Sequence, residues 1–178
     1  DAIVVNASGC GTTVKDYGHM FAGDPEWQAT AGRVADLAVD ISELLAELDV
    51  TAVAAPSGAL PVAYHDSCSL QHGQRLSAPP RALLVEAGFD VREIFEGHMC
   101  CGAAGTYTLL QPRLSDALGH RKAANLAATA AGVAAAGNLG CLLQLERFSG
   151  LPAVHTVELL DWATGGPVPE PLRHLANG

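Results

Sequence analysis

Two rhythms of hydrophobic residues alternate along this chain. Short apolar runs at residues 2–6, 62–65 and 132–137 predict buried strands, and the alternation over 90–95 predicts another. Helical spacing fills much of the rest. Asp24 and Pro25 make an N-cap and a first helical position. Trp27, Ala31, Val34, Leu37, Ile41, Leu44, Leu45 and Leu48 then recur at the period of a helix, either one long helix or two joined near Asp40-Ile41-Ser42. A short helix is expected over 12–17, and further helices over 79–87, 102–110, 112–130, 139–148 and 156–164. Pro56-Ser57-Gly58 marks a linker, and the Pro- and Gly-rich tail after Gly165 reads as loose.

Strands that alternate with helices predict an α/β fold, a mostly parallel sheet flanked by helices. Cys10, Cys68, the Cys100-Cys101 pair and Cys141 each follow the C-terminal end of a predicted strand. In open α/β sheets, sites form outside the carboxyl ends of the strands. Helices that begin there aim N–H groups and partial positive charge at the site, which favours thiolates.

The letters also repeat. Val5-Asn6-Ala7-Ser8-Gly9-Cys10 parallels Ala136-Gly137-Asn138-Leu139-Gly140-Cys141. Val39-Asp40-Ile41-Ser42-Glu43-Leu44-Leu45 parallels Val154-His155-Thr156-Val157-Glu158-Leu159-Leu160. Residues 1–52 therefore read as the trailing part of one pseudo-repeat, 53–60 as a linker, 61–165 as a complete second repeat and 166–178 as a tail. A chain that opens directly on a core strand reads as a piece of a longer protein, with Cys10 the last ligand of a first site.

Composition narrows the partners. Ten basic residues against nineteen acidic ones give a net charge of −9, which argues against nucleic acid, where affinity rests on neutralising phosphates. The uncharged stretch from Asn125 to Gln144 is too rich in Ala and Gly for a transmembrane segment. Five cysteines are an odd number, and the 178-residue chain is longer than disulfide-dense scaffolds. Reduced, metal-ready thiols in the cytoplasm are the expected setting.

The cysteine spacing carries the chemistry. Thirty-one residues separate Cys68 from the adjacent pair Cys100-Cys101, and thirty-six separate Cys101 from Asn138-Leu139-Gly140-Cys141. Adjacent cysteines followed by Gly102-Ala103-Ala104-Gly105 can point two thiolates at one centre, and small residues let a bulky inorganic group approach the main chain. This pattern resembles the cysteine-rich CCG domain of heterodisulfide reductase and its relatives, with Asn138 where the family has the first cysteine of its CxxC. Tyr64-His65-Asp66-Ser67-Cys68, His72-Gly73-Gln74, Cys100 to Tyr107, Gly137 to Gln144 and Val157 to Asp161 resemble the C-terminal half of glycolate oxidase iron–sulfur subunits. Ser67 stands where those subunits more often have Pro, and Ser69 where they often have His.

Four thiolates suit a [4Fe–4S] cluster or a zinc ion. Zinc ligands usually come in short C-x2–4-C pairs, whereas these arrive from three loops, so iron–sulfur is the simpler count and zinc a substitute. The expected ligands are Cys68, Cys100, Cys101 and Cys141, with no catalytic residue of the chain's own. His65, His72 and His98 flank them. Each reads either as a hydrogen-bond donor to a sulfur or as an ordinary exposed or capping histidine. Asp66 reads as a turn cap. The resemblance implies an electron-transfer subunit that takes electrons from an FAD-containing hydroxy-acid oxidase subunit towards a quinone or other acceptor. It also allows a peripheral seat at the inner face of the membrane. Two other readings are a heterodisulfide reductase-like thiol/disulfide enzyme with chemistry at the cluster, and a structural zinc module.

Overall fold

The computed structural model describes residues 1–48 and 60–173. Apart from Leu60, the linker expected at 53–60 lies outside the described residues. The architecture is the expected α/β one, with two parallel sheets. In the larger, strands β3 (Pro61–Tyr64), β4 (Asp90–Arg92), β5 (Val133–Ala136) and β6 (Ala153–His155) run in the order β4-β3-β5-β6. Every neighbouring pair is parallel, with Val62 opposite both Val91 and Val133 and Ala135 opposite Val154. The smaller pairs β1 (Ile3–Val5) with β2 (Ala38–Asp40), also parallel.

Helices α1 (Ser8–Lys15), α2 (Tyr17–Met20), α3 (Gln28–Leu37) and α4 (Ile41–Glu47) accompany the small sheet. In the larger unit, α5 (Ala78–Glu86), α6 (Tyr107–Leu110), α7 (Pro112–Ala127), α8 (Leu139–Ser149) and α9 (Thr156–Ala163) connect or flank the strands.

Alternation along the central strands sorts the core into two layers. Val62, Tyr64, Val133 and Ala135 face one side, with Leu83 and Leu84 of α5 and Leu159 of α9. Ala63, Ala134 and Ala136 face the other, with Leu126 of α7, Leu142 and Leu145 of α8, Cys101 and Cys141. Successive strand side chains point to opposite faces, and β5 is wholly buried, as expected of a central parallel strand. Its three alanines hold helices close on both sides. The chain leaves β3 for β4 on one edge and then returns to β5 on the other. The carboxyl ends of β3 and β5 therefore form a topological switch point, the usual place for a site in such sheets.

Several boundaries differ from the sequence pattern. The helical rhythm over 25–48 is broken by β2, because Val39 pairs with Val4 and Asp40 stays extended to cap α4. Tertiary pairing overrides a weak helical propensity here. Residues 2–6 do contain a strand, but Ile3 and Val4 are 37% and 44% exposed rather than buried. Over 102–110 only Tyr107–Leu110 is helical, because Gly102 and Gly105 take φ values of +96° and +50°. β6 is too short, at three residues, to show a period. The tail is not loose through residue 173: Glu170–Leu172 forms a 3-10 turn, and Leu172 is fully buried beside α5 and α9.

The two units meet near the site. The Ser8 amide donates to the Gly137 carbonyl at 3.0 Å, and His155 Nε2 donates to the Asn6 carbonyl at 2.7 Å. Asp40 with Glu43 and His155 with Glu158 form capping boxes at the starts of α4 and α9, each satisfying two otherwise orphaned backbone donors.

Candidate metal centre

Each cysteine is set by its own turn. β3 runs on by one ladder bond, His65 amide to Ala135 carbonyl at 2.8 Å. The chain then turns through Asp66 and Ser67 into a π-helical turn, Ser69–Gln74, with Cys68 at its N-cap. The Ser67 carbonyl accepts from the amides of both Leu70 and Gln71 at 2.9 Å. Asp66 is buried and takes a 2.7 Å bond from Arg81 Nη2, so it serves as an ion-pair partner rather than the turn cap expected.

The Cys100-Cys101 loop hangs from α7. Lys122 Nζ donates to the Glu96 carbonyl at 2.9 Å, and Asn125 donates to the Phe95 carbonyl at 2.8 Å. Arg121 Nε donates to Glu96 Oε2 at 2.8 Å. On the far side of the cysteines, Ser115 Oγ donates to the Gly102 carbonyl at 2.9 Å, and Gln144 Nε2 donates to Ser115 Oγ at 3.1 Å. Gly102 must be glycine: a Cβ there would lie 2.6 Å from the Ser115 carbonyl oxygen, besides its positive φ.

Cys141 sits in the first turn of α8. Asn138 caps that helix, its Oδ1 accepting from the Cys141 amide at 3.3 Å, while its Nδ2 donates to Ser8 Oγ at 3.1 Å. Both ends of the amide are thus engaged. Ser8 in turn bonds Ser69 Oγ at 2.7 Å, and Gln74 Nε2 donates to the Ser8 carbonyl at 3.0 Å. The start of α1 therefore closes one side of the site.

These turns bring four of the five cysteines together. Cys68, Cys100, Cys101 and Cys141 line one cavity of about 250 Å³, with Gly9, Ser69, Ala103, Ala104, Gly105 and Asn138 as the remaining wall. Cys68 Sγ and Cys100 Sγ are 4.0 Å apart, and Cys101 Sγ and Cys141 Sγ are 3.2 Å apart. Neither is a disulfide, whose sulfurs lie about 2.05 Å apart. Cys10 is exposed on α1 and is not part of the cavity wall, although its neighbour Gly9 is. His72 and His98 are exposed, and His72 Nε2 donates to the His98 carbonyl at 3.3 Å. His65 lies elsewhere: it is buried, with a ring nitrogen within 4.8 Å of the sulfurs of both Cys101 and Cys141.

The sulfurs divide into donors and acceptors. The Cys100 thiol is held below the usual range by the neighbouring sulfurs of Cys101 and Cys68, of which Cys68 donates to it at 4.0 Å, with the Gly102 amide adding a 3.3 Å bond. Cys141 is held down to about 5, chiefly by the Cys101 thiol and then by His65 and Ser67, against the opposing effect of burial. Cys68 is pushed up by its bond to Cys100 and by burial, and Cys101 by its bonds to Cys100 and Cys141. The surroundings thus favour ionised sulfur at Cys100 and Cys141, and thiolates are what bind soft metals.

Cavity size favours one of the two metal readings. A single zinc ion draws its sulfurs to about 2.3 Å and leaves little space among them. The 250 Å³ here is several times the roughly 30 Å³ share of one water molecule. With an all-sulfur donor set and a wall of small residues, the cavity fits a cluster of several atoms better than a lone ion.

His65, Ser67 and Ser8 are the site residues that cysteine spacing does not reveal. The first two precede Cys68 by three positions and one; His65 lies beside the Cys101 and Cys141 sulfurs, and Ser67 is buried next to Cys68. Ser8 comes from the other unit, and only the letter repeat, which matches Ser8 to Leu139, brings it near.

Comparison with known proteins gives consistent matches. Residues 62–146 match the family model of the cysteine-rich domain CCG. The glycolate oxidase iron–sulfur subunit of Escherichia coli is 35% identical over 163 residues, covering 92% of this chain and 40% of that protein. The probable glycolate oxidase iron–sulfur subunit of Bacillus subtilis is 36% identical over 177 residues, covering 93% and 39%. Lactate utilization protein A of Oceanobacillus iheyensis is 30% identical over 166 residues, covering 89% and 68%. The chain thus spans about two fifths of the glycolate oxidase subunits it matches. Among the described residues, no helix is long and apolar enough to cross a membrane.

Proposed function

Because this chain belongs to the cysteine-rich CCG domain family, we propose that it is part of the iron–sulfur subunit of a flavin-linked 2-hydroxy-acid oxidase, with glycolate the first substrate to test. In this reading it carries electrons from an FAD-containing subunit towards a quinone or other acceptor, on the cytoplasmic side of the membrane. The observation that carries the reading is the meeting of Cys68, Cys100, Cys101 and Cys141 around one cavity.

The four thiolates would hold a [4Fe–4S] cluster. Bound there, a cluster supplies a one-electron couple whose potential is set by its ligands, by hydrogen bonds to sulfur and by exposure. The chain's own residues do the rest. Gly9, Ala103, Ala104 and Gly105 keep the wall low enough for an inorganic group to sit against the main chain. Asn138 is engaged at both ends, which favours four cysteine ligands over the five of the full family motif. We further assign residues 1–52 to the trailing part of a first repeat and 61–165 to a second. The capping boxes at Asp40 and His155, at matching positions of the repeat, support that division. Cys10 then belongs to a first site that the preceding part of the same protein would complete.

The test is a paired assay on the intact complex, wild type and Cys101→Ser. Serine keeps the shape but is a harder, less acidic ligand. Quinone-linked glycolate oxidation should be lost, while dye-linked oxidation by the flavin subunit should remain. Unchanged quinone-linked turnover in a variant that has lost its iron would defeat the electron-carrier reading. Loss of both activities in an assembled complex would point instead to chemistry at the cluster, as in a heterodisulfide reductase-like enzyme.

A further inference from the structure

Four consecutive side chains from the end of β3 onward bury polar atoms that have no partner: Oη of Tyr64, both ring nitrogens of His65, Oδ1 of Asp66 and Oγ of Ser67, of which Tyr64 packs in the core layer on the other side of the sheet from the sulfurs. Asp66 still pairs with Arg81 through its other oxygen. His65 and Ser67 have no side-chain partner at all, though each is only 1% exposed. Buried polar atoms are almost always hydrogen-bonded, so two such exceptions side by side need a physical cause. Their backbones are fixed. The His65 amide is in the β3–β5 ladder, and the Ser67 carbonyl starts the π-helical turn. Their side chains are therefore aimed, not adrift.

His65 is aimed at the Cys101/Cys141 pair. A His65 ring nitrogen lies within 4.8 Å of both sulfurs, and the Ser67 hydroxyl, two residues on, is buried next to the ligand Cys68 with no partner of its own. In the structure Cys101 itself donates to Cys141. Once both sulfurs serve as metal-bound thiolates, that proton is gone. Two anionic sulfurs then sit in a wall that belongs to the hydrophobic core. Lys122 is the buried cation nearby; one N–H of its ammonium group donates to the Glu96 carbonyl, and its charge favours the sulfurs without a hydrogen bond to them in this structure. Among the described residues, the unpartnered buried hydroxyls of Tyr64 and Thr156 line a different cavity, which leaves the His65 N–H and the Ser67 O–H as the unpartnered donors on this side.

We propose that His65 and Ser67 are positioning residues that donate hydrogen bonds to the cysteine sulfurs of the loaded centre, His65 to those of Cys101 and Cys141, and that they raise its midpoint potential. The proposal rests on the iron–sulfur reading of the four-cysteine cavity. The direction follows from charge. A donor to sulfur stabilises the more negative, reduced state more than the oxidised one, so each donor shifts the couple upward, and hydrogen bonds around metal ligands are a recognised means of tuning.

The experiment is a redox titration, followed by electron paramagnetic resonance, of the anaerobically purified full-length subunit, with iron and sulfide measured on the same samples. Ser67→Ala and His65→Phe, which each remove a donor, should shift the potential of this centre downward at unchanged iron content. Ser67→Thr, which keeps the hydroxyl, should restore the wild-type value. If His65→Phe fails to fold, the Ser67→Ala and Ser67→Thr pair still decides the matter. Wild-type potentials in Ser67→Ala and His65→Phe at full iron loading would overturn the proposal and leave the iron–sulfur reading intact. A wild-type protein without iron and sulfide at this site would overturn the iron–sulfur reading, and this inference with it.

Discussion

Cys101 and Cys141 hold their sulfurs 3.2 Å apart although they are forty positions apart in the chain. One comes from a loop pinned to α7, the other from the first turn of α8, and those two helices pack side by side through Ser115 and Gln144. The contact is too long for a disulfide and short enough for a shared proton. It pushes the Cys101 thiol up and holds the Cys141 thiol down within a hydrophobic layer.

That sharing has a pH signature in protein stripped of metal. Cys141 is held down to about 5, whereas an unfolded cysteine titrates near 8.5. A depressed pKa gives stability that is complete above about 8.5 and is lost as pH falls towards 5, at no more than about 1.4 kcal/mol per pH unit for one proton. Cys101, pushed up, acts in the opposite sense and only above about 8.5. The stability difference between wild type and Cys141→Ala, measured by urea unfolding of chelator-treated protein, should therefore widen from pH 5 to pH 8. A gap that narrows over this range would contradict the assignment of thiolate to Cys141.

Asn138 should prove structural. Asn138→Ala removes both the cap of α8 and the bond to Ser8, and cap losses alone cost about 0.5–2 kcal/mol. Asn138→Asp keeps the cap acceptor, so it should cost less. Denaturation midpoints of the two variants read the difference. Equal losses would mean that the bond to Ser8, not the cap, carries the residue's contribution.

Gly102→Ala should damage the site more than its size suggests. A left-handed backbone costs an ordinary residue about 1–2 kcal/mol, and the new Cβ would also press on the Ser115 carbonyl oxygen. Relief requires the Cys100-Cys101 loop to move. Lower stability together with reduced iron content is the expected result, and an unaltered iron content would show that the loop can shift without disturbing its sulfurs.

Much of this site can be read from the letters, because cysteine positions at strand ends are fixed by topology. Once Cys68, Cys100, Cys101 and Cys141 each follow a parallel strand, they reach the same edge of the sheet. The small strands are harder. Ala38-Val39-Asp40 keeps a helical spacing, and only its pairing with Ile3-Val4-Val5 makes it extended. Leu172 packs into the core from a segment whose Pro and Gly content suggests a loose tail. His65 reads in the sequence, like His72 and His98, either as a donor to a sulfur or as an ordinary exposed or capping histidine. Its burial against two sulfurs depends on how β3 pairs with β5, which local pattern does not encode.

The most direct test is the iron and acid-labile sulfide content of anaerobically prepared full-length protein, with its electron paramagnetic resonance spectrum. Wild type should be compared with Cys68→Ser, Cys100→Ser, Cys101→Ser, Cys141→Ser and Cys10→Ser. Each of the first four variants should lose the same cluster signal and the same share of iron and sulfide, while Cys10→Ser keeps that signal. Retention of the signal in any of the first four, or zinc without sulfide in the wild type, would contradict a cluster held by these four cysteines.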